Sequence, residues 1–201
     1  MRAISVTMNV TLDGVVQSLG RPDEDTRGGF THGGWGGRYQ DEVLAEEMSR
    51  GMGKPGDMLF GRRTWEDFIG AWAGRTDGNP FTTHLNAATK YVASTTLDDA
   101  GKWQNSVLLR GDAAKTVGEL KATPGNDLSV IGSASLVHAL HAAGLIDHYA
   151  LLIHPLTLGG GTRLFEDPAP FTEFTLTRSV ATTKGVIIAY YDRVVSEPAE
   201  A

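Results

Sequence analysis

The sequence predicts an α/β domain whose sheet is mixed, mostly parallel, and finished by an antiparallel C-terminal hairpin. Three observations carry that expectation. Short runs rich in β-branched residues alternate with segments of helical period through the first two thirds of the chain. The last third holds strands with no helical pattern between them. The length of 201 residues, 41% of them hydrophobic, suits a single large core better than two small ones.

Each element has its own reason. Residues 3–10 are β-branched and stop at the turn residues Asp13-Gly14, which reads as a strand. Residues 17–37 are dense in Gly, Asp, Arg and Ser, with Phe30 and Trp35 as the large apolar anchors, so a long loop is expected. Loops of that length in compact domains are either functional or disordered. Residues 40–52 place Val43, Leu44, Met48 and Met52 at helical spacing, with acids early where the helix dipole favours them. A short apolar strand at 57–60 enters Gly61, and 62–69 is helical. A second glycine-rich loop spans 70–80 and leads into a short helix up to Ala88. Strands follow at 90–94 and 106–109, then a helix at 113–121 that Pro124-Gly125 stops. The strand at 128–131 runs into Gly132-Ser133-Ala134-Ser135, and the helix at 136–143 ends at Gly144. Strands at 148–154, 173–181 and 186–195 complete the chain, the last two joined at Thr183-Lys184-Gly185. Neither a repeat nor a linker divides it, so one domain over residues 1–195 is expected, with a frayed polar tail at 196–201.

Composition narrows the function. The formal net charge of -6 argues against a nucleic-acid or anionic-membrane surface, either of which needs a concentrated basic face. With no cysteine, disulfides, thiolate chemistry and the Pro-Cys-x-x-Cys zinc site of deaminases are excluded. The six histidines are scattered. His138 and His141 share a helix face without a third ligand, so they read as surface or packing residues and no metal is expected. No apolar run reaches transmembrane length, and a cytoplasmic location is the expectation.

Four segments are candidates for chemistry. Gly61-Arg62-Arg63-Thr64 carries an apolar strand into a helix whose first turn holds two arginines. Free N–H groups there suit phosphate oxygens, and arginine adds a permanent planar charge. The alternative is a plain strand-to-helix turn with surface arginines. Gly132-Ser133-Ala134-Ser135-Leu136 offers close backbone approach and hydroxyls at a helix start, or simply a capped helix. Leu158-Gly159-Gly160-Gly161 follows a strand and permits positive φ, or merely a flexible connection. Asp13 falls at the mouth of the sheet, where open α/β folds place ligands, though Asp-Gly is also an ordinary turn.

In this order, Thr11-Leu12-Asp13-Gly14, Gly61-Arg62-Arg63-Thr64-Trp65, Lys90-Tyr91-Val92-Ala93-Ser94, Gly132-Ser133-Ala134-Ser135 and Pro155-Leu156-Thr157-Leu158-Gly159-Gly160-Gly161 resemble the dihydrofolate reductase-like family. They are most similar to the C-terminal reductase domain of the riboflavin-pathway deaminase-reductases (RibD-type), here as a free-standing member, over residues 2 to about 195. The resemblance implies a three-layer α/β/α fold with NADPH across the carboxyl ends of the strands. It implies that Gly61, Arg62, Arg63 and Thr64 approach the adenosine side, and that Ser94 and Thr95 help bind the 2′-phosphate. Gly132, Ser133, Ala134, Ser135 and Leu136 would cradle the pyrophosphate. Val10, Asp13, Leu158, Gly159 and Gly160 would line the nicotinamide and substrate space, with Trp35 brought in by the long loop. The implied reaction is hydride transfer to the imine carbon of a phosphoribosylaminopyrimidine, with Asp13 orienting substrate or relaying the proton. A homodimer is also implied.

Two departures bear on the substrate. The riboflavin-pathway reductases read Glu-Gly-Gly where this chain has Ile131-Gly132-Ser133, so a substrate-contacting carboxylate is missing. The loop at 17–37 is longer than the basic plan requires and is expected to close over the substrate. Dihydrofolate reduction is the runner-up. It asks for a buried carboxylate on the first helix, where Glu42 and Glu46 both lie among other charges. A nucleotide-binding module without catalysis is the third reading.

Overall fold

Eight strands form one sheet in the order β4-β3-β2-β5-β1-β6-β8-β7 in the computed structural model, which describes residues 1–50 and 56–195. The strands are β1 (Ile4–Thr11), β2 (Asp57–Gly61), β3 (Lys90–Ser94), β4 (Ser106–Arg110), β5 (Leu128–Val130), β6 (His148–His154), β7 (Phe174–Ala181) and β8 (Ile187–Arg193). The helices are α1 (Glu42–Arg50), α2 (Arg62–Trp72), α3 (Pro80–Ala87), α4 (Ala113–Ala122) and α5 (Ala134–Ala142). Met52, expected at the end of the first helix, and the expected tail at 196–201 lie outside the described residues.

The expected mixed sheet is present. β1 pairs in parallel with β5 and β6, and the parallel block continues through β2, β3 and β4. β8 lies antiparallel to both β6 and β7, so it alone runs against the other seven. The strand at 148–154 therefore belongs to the parallel block, and the antiparallel character begins one strand later than the helix-free sequence suggests.

Side-chain alternation along β1 divides the molecule into layers. Ile4, Val6, Met8 and Val10 point to one face and pack with Val117, Val137 and Leu140 of α4 and α5. The opposite face of β2 supplies Met58 and Phe60 to a second core with Trp65 of α2 and Leu85 of α3. A third, smaller core joins Leu44 of α1 to Leu152, Val186 and Ile188. The result is the three-layer arrangement, with α1, α2 and α3 over one face of the sheet and α4 and α5 over the other. Lys90 is fully buried at the start of β3, its ammonium donating to the carbonyls of Leu85 and Ala88 at 2.6 and 2.7 Å. Burial lowers its pKa to about 8.

Candidate active site

The central cavity lies on the α1–α2 face of the sheet and has a volume of about 1160 Å³. That exceeds the usual span of ligand pockets, about 300–1,000 Å³, and suits a dinucleotide together with a second molecule. Thr7, Met8 and Asn9 of β1 line it, and Thr7 and Asn9 are the polar side chains that alternate with the core residues.

One end of the cavity is made by two helix starts set side by side. α2 begins after Gly61 and α5 after Ser133, and neither helix has an acid in its first turn or a side-chain cap hydrogen bond. Their free N–H groups and partial positive charge therefore face the cavity wall unanswered. Gly61 has no room for a side chain, because a Cβ there would collide with the Ser133 hydroxyl. Gly132 holds φ at +83°, a conformation that glycine adopts without strain. Such a cradle fits a dinucleotide pyrophosphate, and Arg63, Thr64, Gly132, Ser133, Ala134 and Ser135 all line it.

Other expected residues are placed elsewhere. Arg62 turns along the outside of α2, its Nε donating to Glu66 at 2.9 Å and its Nη1 to the Thr96 hydroxyl at 2.9 Å. That puts it at the carboxyl end of β3, beside exposed Thr95. Ser94 is buried, and its hydroxyl accepts the N–H groups of Thr96 and Leu97, which shapes the turn after β3. Leu136 is packed into the core of α5.

Three expected site residues lie apart from the cavity lining. Val10 belongs to the α4–α5 core, because the period of two turns it away from the cavity that Asn9 faces. Asp13 lies outside the cavity lining. Its Oδ2 accepts the Gly159 N–H at 2.7 Å, both oxygens accept the Leu158 N–H at 3.2 Å, and Oδ1 accepts the Thr11 hydroxyl. Partial burial opposes its ionisation, but those hydrogen bonds outweigh it and hold the carboxyl below its usual range. Asp13 therefore fastens the end of β1 to the 156–162 loop. Trp35 is 5% exposed, and its indole N–H donates to the Gln17 carbonyl at 2.8 Å, so it anchors the long loop from within. Leu158 and Gly160 line a second recess of about 550 Å³ together with residues 27–32 of that loop.

The long loop covers the cavity, with residues 17–19 and 23–27 in its lining. Gln17 is its staple. The side-chain carbonyl accepts Thr162 N–H at 2.9 Å, while the amide donates to the carbonyls of Asp25 and Arg27, both at 3.1 Å. Replacing Gln17 by alanine removes these partly buried bonds together. Amide hydrogen exchange across residues 17–37 is expected to accelerate about tenfold or more, with the sheet amides unchanged.

One buried carboxylate was not singled out in the sequence. Glu47 of α1 is 6% exposed and lines the cavity. Arg178 of β7 grips it with two hydrogen bonds of 2.5 and 2.7 Å, and the Tyr190 hydroxyl adds a third at 3.2 Å. The Arg178 guanidinium holds the Glu47 carboxyl below its ordinary range, against the opposing effect of burial. Its signal was the helical period itself, since Glu47 shares a face with Leu44 and Met48. The expected Glu42 and Glu46 are both exposed. Elsewhere in the lining, burial raises the Asp67 carboxyl, with Glu24, Asp25 and Glu66 adding to the effect. His138 pairs with Glu166 at 2.9 Å, and His141 packs against Phe165 and Tyr149.

A family model gives the family, and the solved structures give the fold. The sequence profile of the RibD C-terminal domain matches residues 2–188. The protein YyaP of Bacillus subtilis (strain 168) is 27% identical over 138 residues, which is 67% of this chain and 72% of YyaP. A pyrimidine reductase-like protein from Corynebacterium diphtheriae superimposes with a TM-score of 0.66 at 12% identity, covering 97% of this chain and 93% of that one. Dihydrofolate reductase from Enterococcus faecalis, complexed with NADP(H), gives a TM-score of 0.56 at 14% identity, covering 95% and 96%. At those identities the two structures establish a shared dihydrofolate reductase-like fold.

Proposed function

Because the chain belongs to the RibD C-terminal domain family, we propose that it is an NADPH-dependent reductase of a pyrimidine-type heterocycle. The observation that carries this reading is the pair of uncapped helix starts opening into one cavity large enough for cofactor and substrate. In it, the N–H groups after Gly61 and Ser133 hold the pyrophosphate, with Arg63 and Thr64 beside them. Arg62, reaching toward the residues after Ser94, meets the adenosine 2′-phosphate. NADPH, when bound, supplies the hydride. The chain's own contribution is to hold the acceptor carbon of the substrate against it and to exclude water, for which the stapled 17–37 loop is placed.

The lining also speaks to the substrate. Among the described residues, seven carboxylates and four arginines face the cavity, and Arg27, Arg50 and Arg178 are already paired with carboxylates, so these residues leave little to neutralise a phosphate on the substrate. The same negative wall favours an imine that gains positive charge as it is protonated. An unphosphorylated heterocycle therefore suits this site better than the phosphoribosyl compound of the riboflavin pathway. A cytoplasmic homodimer completes the reading and rests on the family resemblance and on the exposed edge strand β7.

Glu47 favours dihydrofolate reduction as a second reading, since a buried carboxylate on the first helix does face the cavity. It ranks second because Arg178 and Tyr190 keep that carboxylate ionised and occupied. A panel of pyrimidines and dihydrofolate, followed by loss of the reduced-nicotinamide absorbance, separates the two. Tight NADPH binding without turnover on any of them would identify a binding module instead.

Cofactor choice tests the reading directly. The wild-type protein is expected to bind NADPH at least about tenfold more tightly than NADH, about 1.4 kcal/mol. Arg62→Ala should erase that preference and leave NADH affinity unchanged, as read by nicotinamide fluorescence titration. Equal affinities in the wild type would refute the assignment.

A further inference from the structure

Asn9 and His154 form a partly buried polar pair at the floor of the cavity. β1 and β6 run parallel with Thr7 opposite Ala150, Asn9 opposite Leu152 and Thr11 opposite His154. These residues share one face of the sheet, and His154 sits diagonally next to Asn9. Their side chains meet at 2.8 Å, imidazole Nε2 to amide Oδ1. Asn9 lines the cavity, whereas His154 is fully buried beneath it. The rings of Trp35 and Tyr39 stand edge-on to the imidazole with centroids 5.0 and 5.1 Å away. The Nδ1 atom of His154 has no hydrogen-bond partner among the described residues.

That orphan atom decides the tautomer. A neutral imidazole carries one N–H, and in this setting it can sit on Nε2 or on Nδ1. With the proton on Nδ1, a buried donor would be left unsatisfied, the arrangement that folded proteins most strongly avoid. With the proton on Nε2, the N–H donates to Asn9 Oδ1 and only a lone pair is left without a partner. The second arrangement fixes the amide as well. Its oxygen is turned down to the histidine, so its NH2 is turned up into the cavity, and it makes no hydrogen bond to any described residue.

We propose that His154 is a positioning residue that locks the Asn9 amide with its NH2 toward the substrate, making Asn9 the donor that recognises a carbonyl oxygen or ring nitrogen of the heterocycle. The proposal rests on the reading of the cavity as the substrate site and adds the group that selects among substrates there. It excludes ligands that present only N–H groups at this point, since a locked amide oxygen cannot turn to accept from them. A site built around a fixed donor discriminates more sharply than an apolar pocket, because a ligand lacking the acceptor leaves the donor unpaired.

The tautomer is measured on the protein without ligand. In protein carrying nitrogen-15 histidine, long-range proton–nitrogen correlation separates the two neutral tautomers, and His154→Phe identifies the signal. The expected result is a protonated Nε2 with an unprotonated Nδ1. Uracil, added to the NADPH-loaded protein as a carbonyl-bearing probe, is expected to shift the Asn9 side-chain amide protons. His154→Phe, which keeps a ring between Trp35 and Tyr39 but cannot hold the amide, should raise the uracil dissociation constant about tenfold while leaving the NADPH constant unchanged. His154→Gln restores a donor and should recover part of the loss. A proton on Nδ1, or Asn9 amide protons indifferent to uracil, overturns the proposal. Failure of NADPH to bind would instead count against the reductase reading, since the tautomer is read without it.

Discussion

Trp65→Ala is expected to destabilise the protein by about 3–5 kcal/mol, the range for removing a buried tryptophan. Trp65 is fully buried on α2 and packs with Met58, Phe60 and Val92 of the central strands and with Trp103. Its indole N–H donates to the Ser106 hydroxyl at 3.1 Å, which ties α2 to the far strand β4. In a chain of this size each kcal/mol moves the melting temperature by about 2–4 °C, so a fall on the order of 10 °C should appear in a calorimetric scan. Trp65→Phe keeps most of the volume and loses the hydrogen bond, and should cost roughly a third as much. The change reaches the site because Trp65 lies three residues after Arg62 and sets how the first turn of α2 meets the end of β2. NADPH affinity should therefore fall in the alanine variant even at temperatures where it remains folded. Unaltered affinity would mean that the start of α2 is held by something other than this side chain.

The same helix shows what a sequence can and cannot reveal. Gly61 before two arginines and a buried Trp65 is a local pattern, and local patterns were legible: β3 and β6 fall at 90–94 and 148–154 as expected. The face each side chain takes was harder. On β1 the strict alternation of Ile4, Val6, Met8 and Val10 with Ser5, Thr7, Asn9 and Thr11 does show that Val10 and Asn9 take opposite faces, but which face meets α4 and α5 and which lines the cavity is set by elements distant in sequence. Trp35 and Asp13, which lie apart from the cavity lining, show the same dependence on distant partners. A glycine-rich loop suggests solvent, and a carboxylate near the strand ends suggests a ligand, but their partners are Gln17 in one case and the 158–159 backbone in the other. Glu47 was hidden by its charge. Its partner Arg178 lies 131 residues away, so only the fold could show that this acid is buried and matched. Helical period alone marks it, since Glu47 falls on the face of Leu44 and Met48.

Acidification is expected to remove about 3 kcal/mol of stability between pH 6.5 and pH 4 through His154 alone. Burial among Trp35, Tyr39 and the sheet lowers its pKa from 6.5 to about 4. As the pH falls through 6.5 the unfolded chain takes up this proton, while the folded chain stays neutral until near pH 4. In that window the unfolded state binds more protons, so stability drops with pH, and the loss is complete below about 4. The ordinary value of 6.5 and the folded value of about 4 correspond to the stated energy at about 1.4 kcal/mol for each tenfold change in proton affinity. His141 is also lowered by burial, with Arg193 and His138 adding to the effect, so the whole-protein slope includes it. The carboxylates act elsewhere. Glu47, Asp13 and Asp25 are held below their usual values, so their stabilisation is present above an unfolded pKa near 4 and is lost only at lower pH. Comparing urea midpoints of wild type and His154→Phe at pH 7 and pH 4.5 isolates the histidine. The two proteins should be close at pH 7, and the variant should be clearly the more stable at pH 4.5. Parallel losses in both would mean that the imidazole is not held neutral. A neutral imidazole is also what lets Nδ1 stay bare while Nε2 donates, so acid instability and the fixed Asn9 amide are two consequences of the same buried ring.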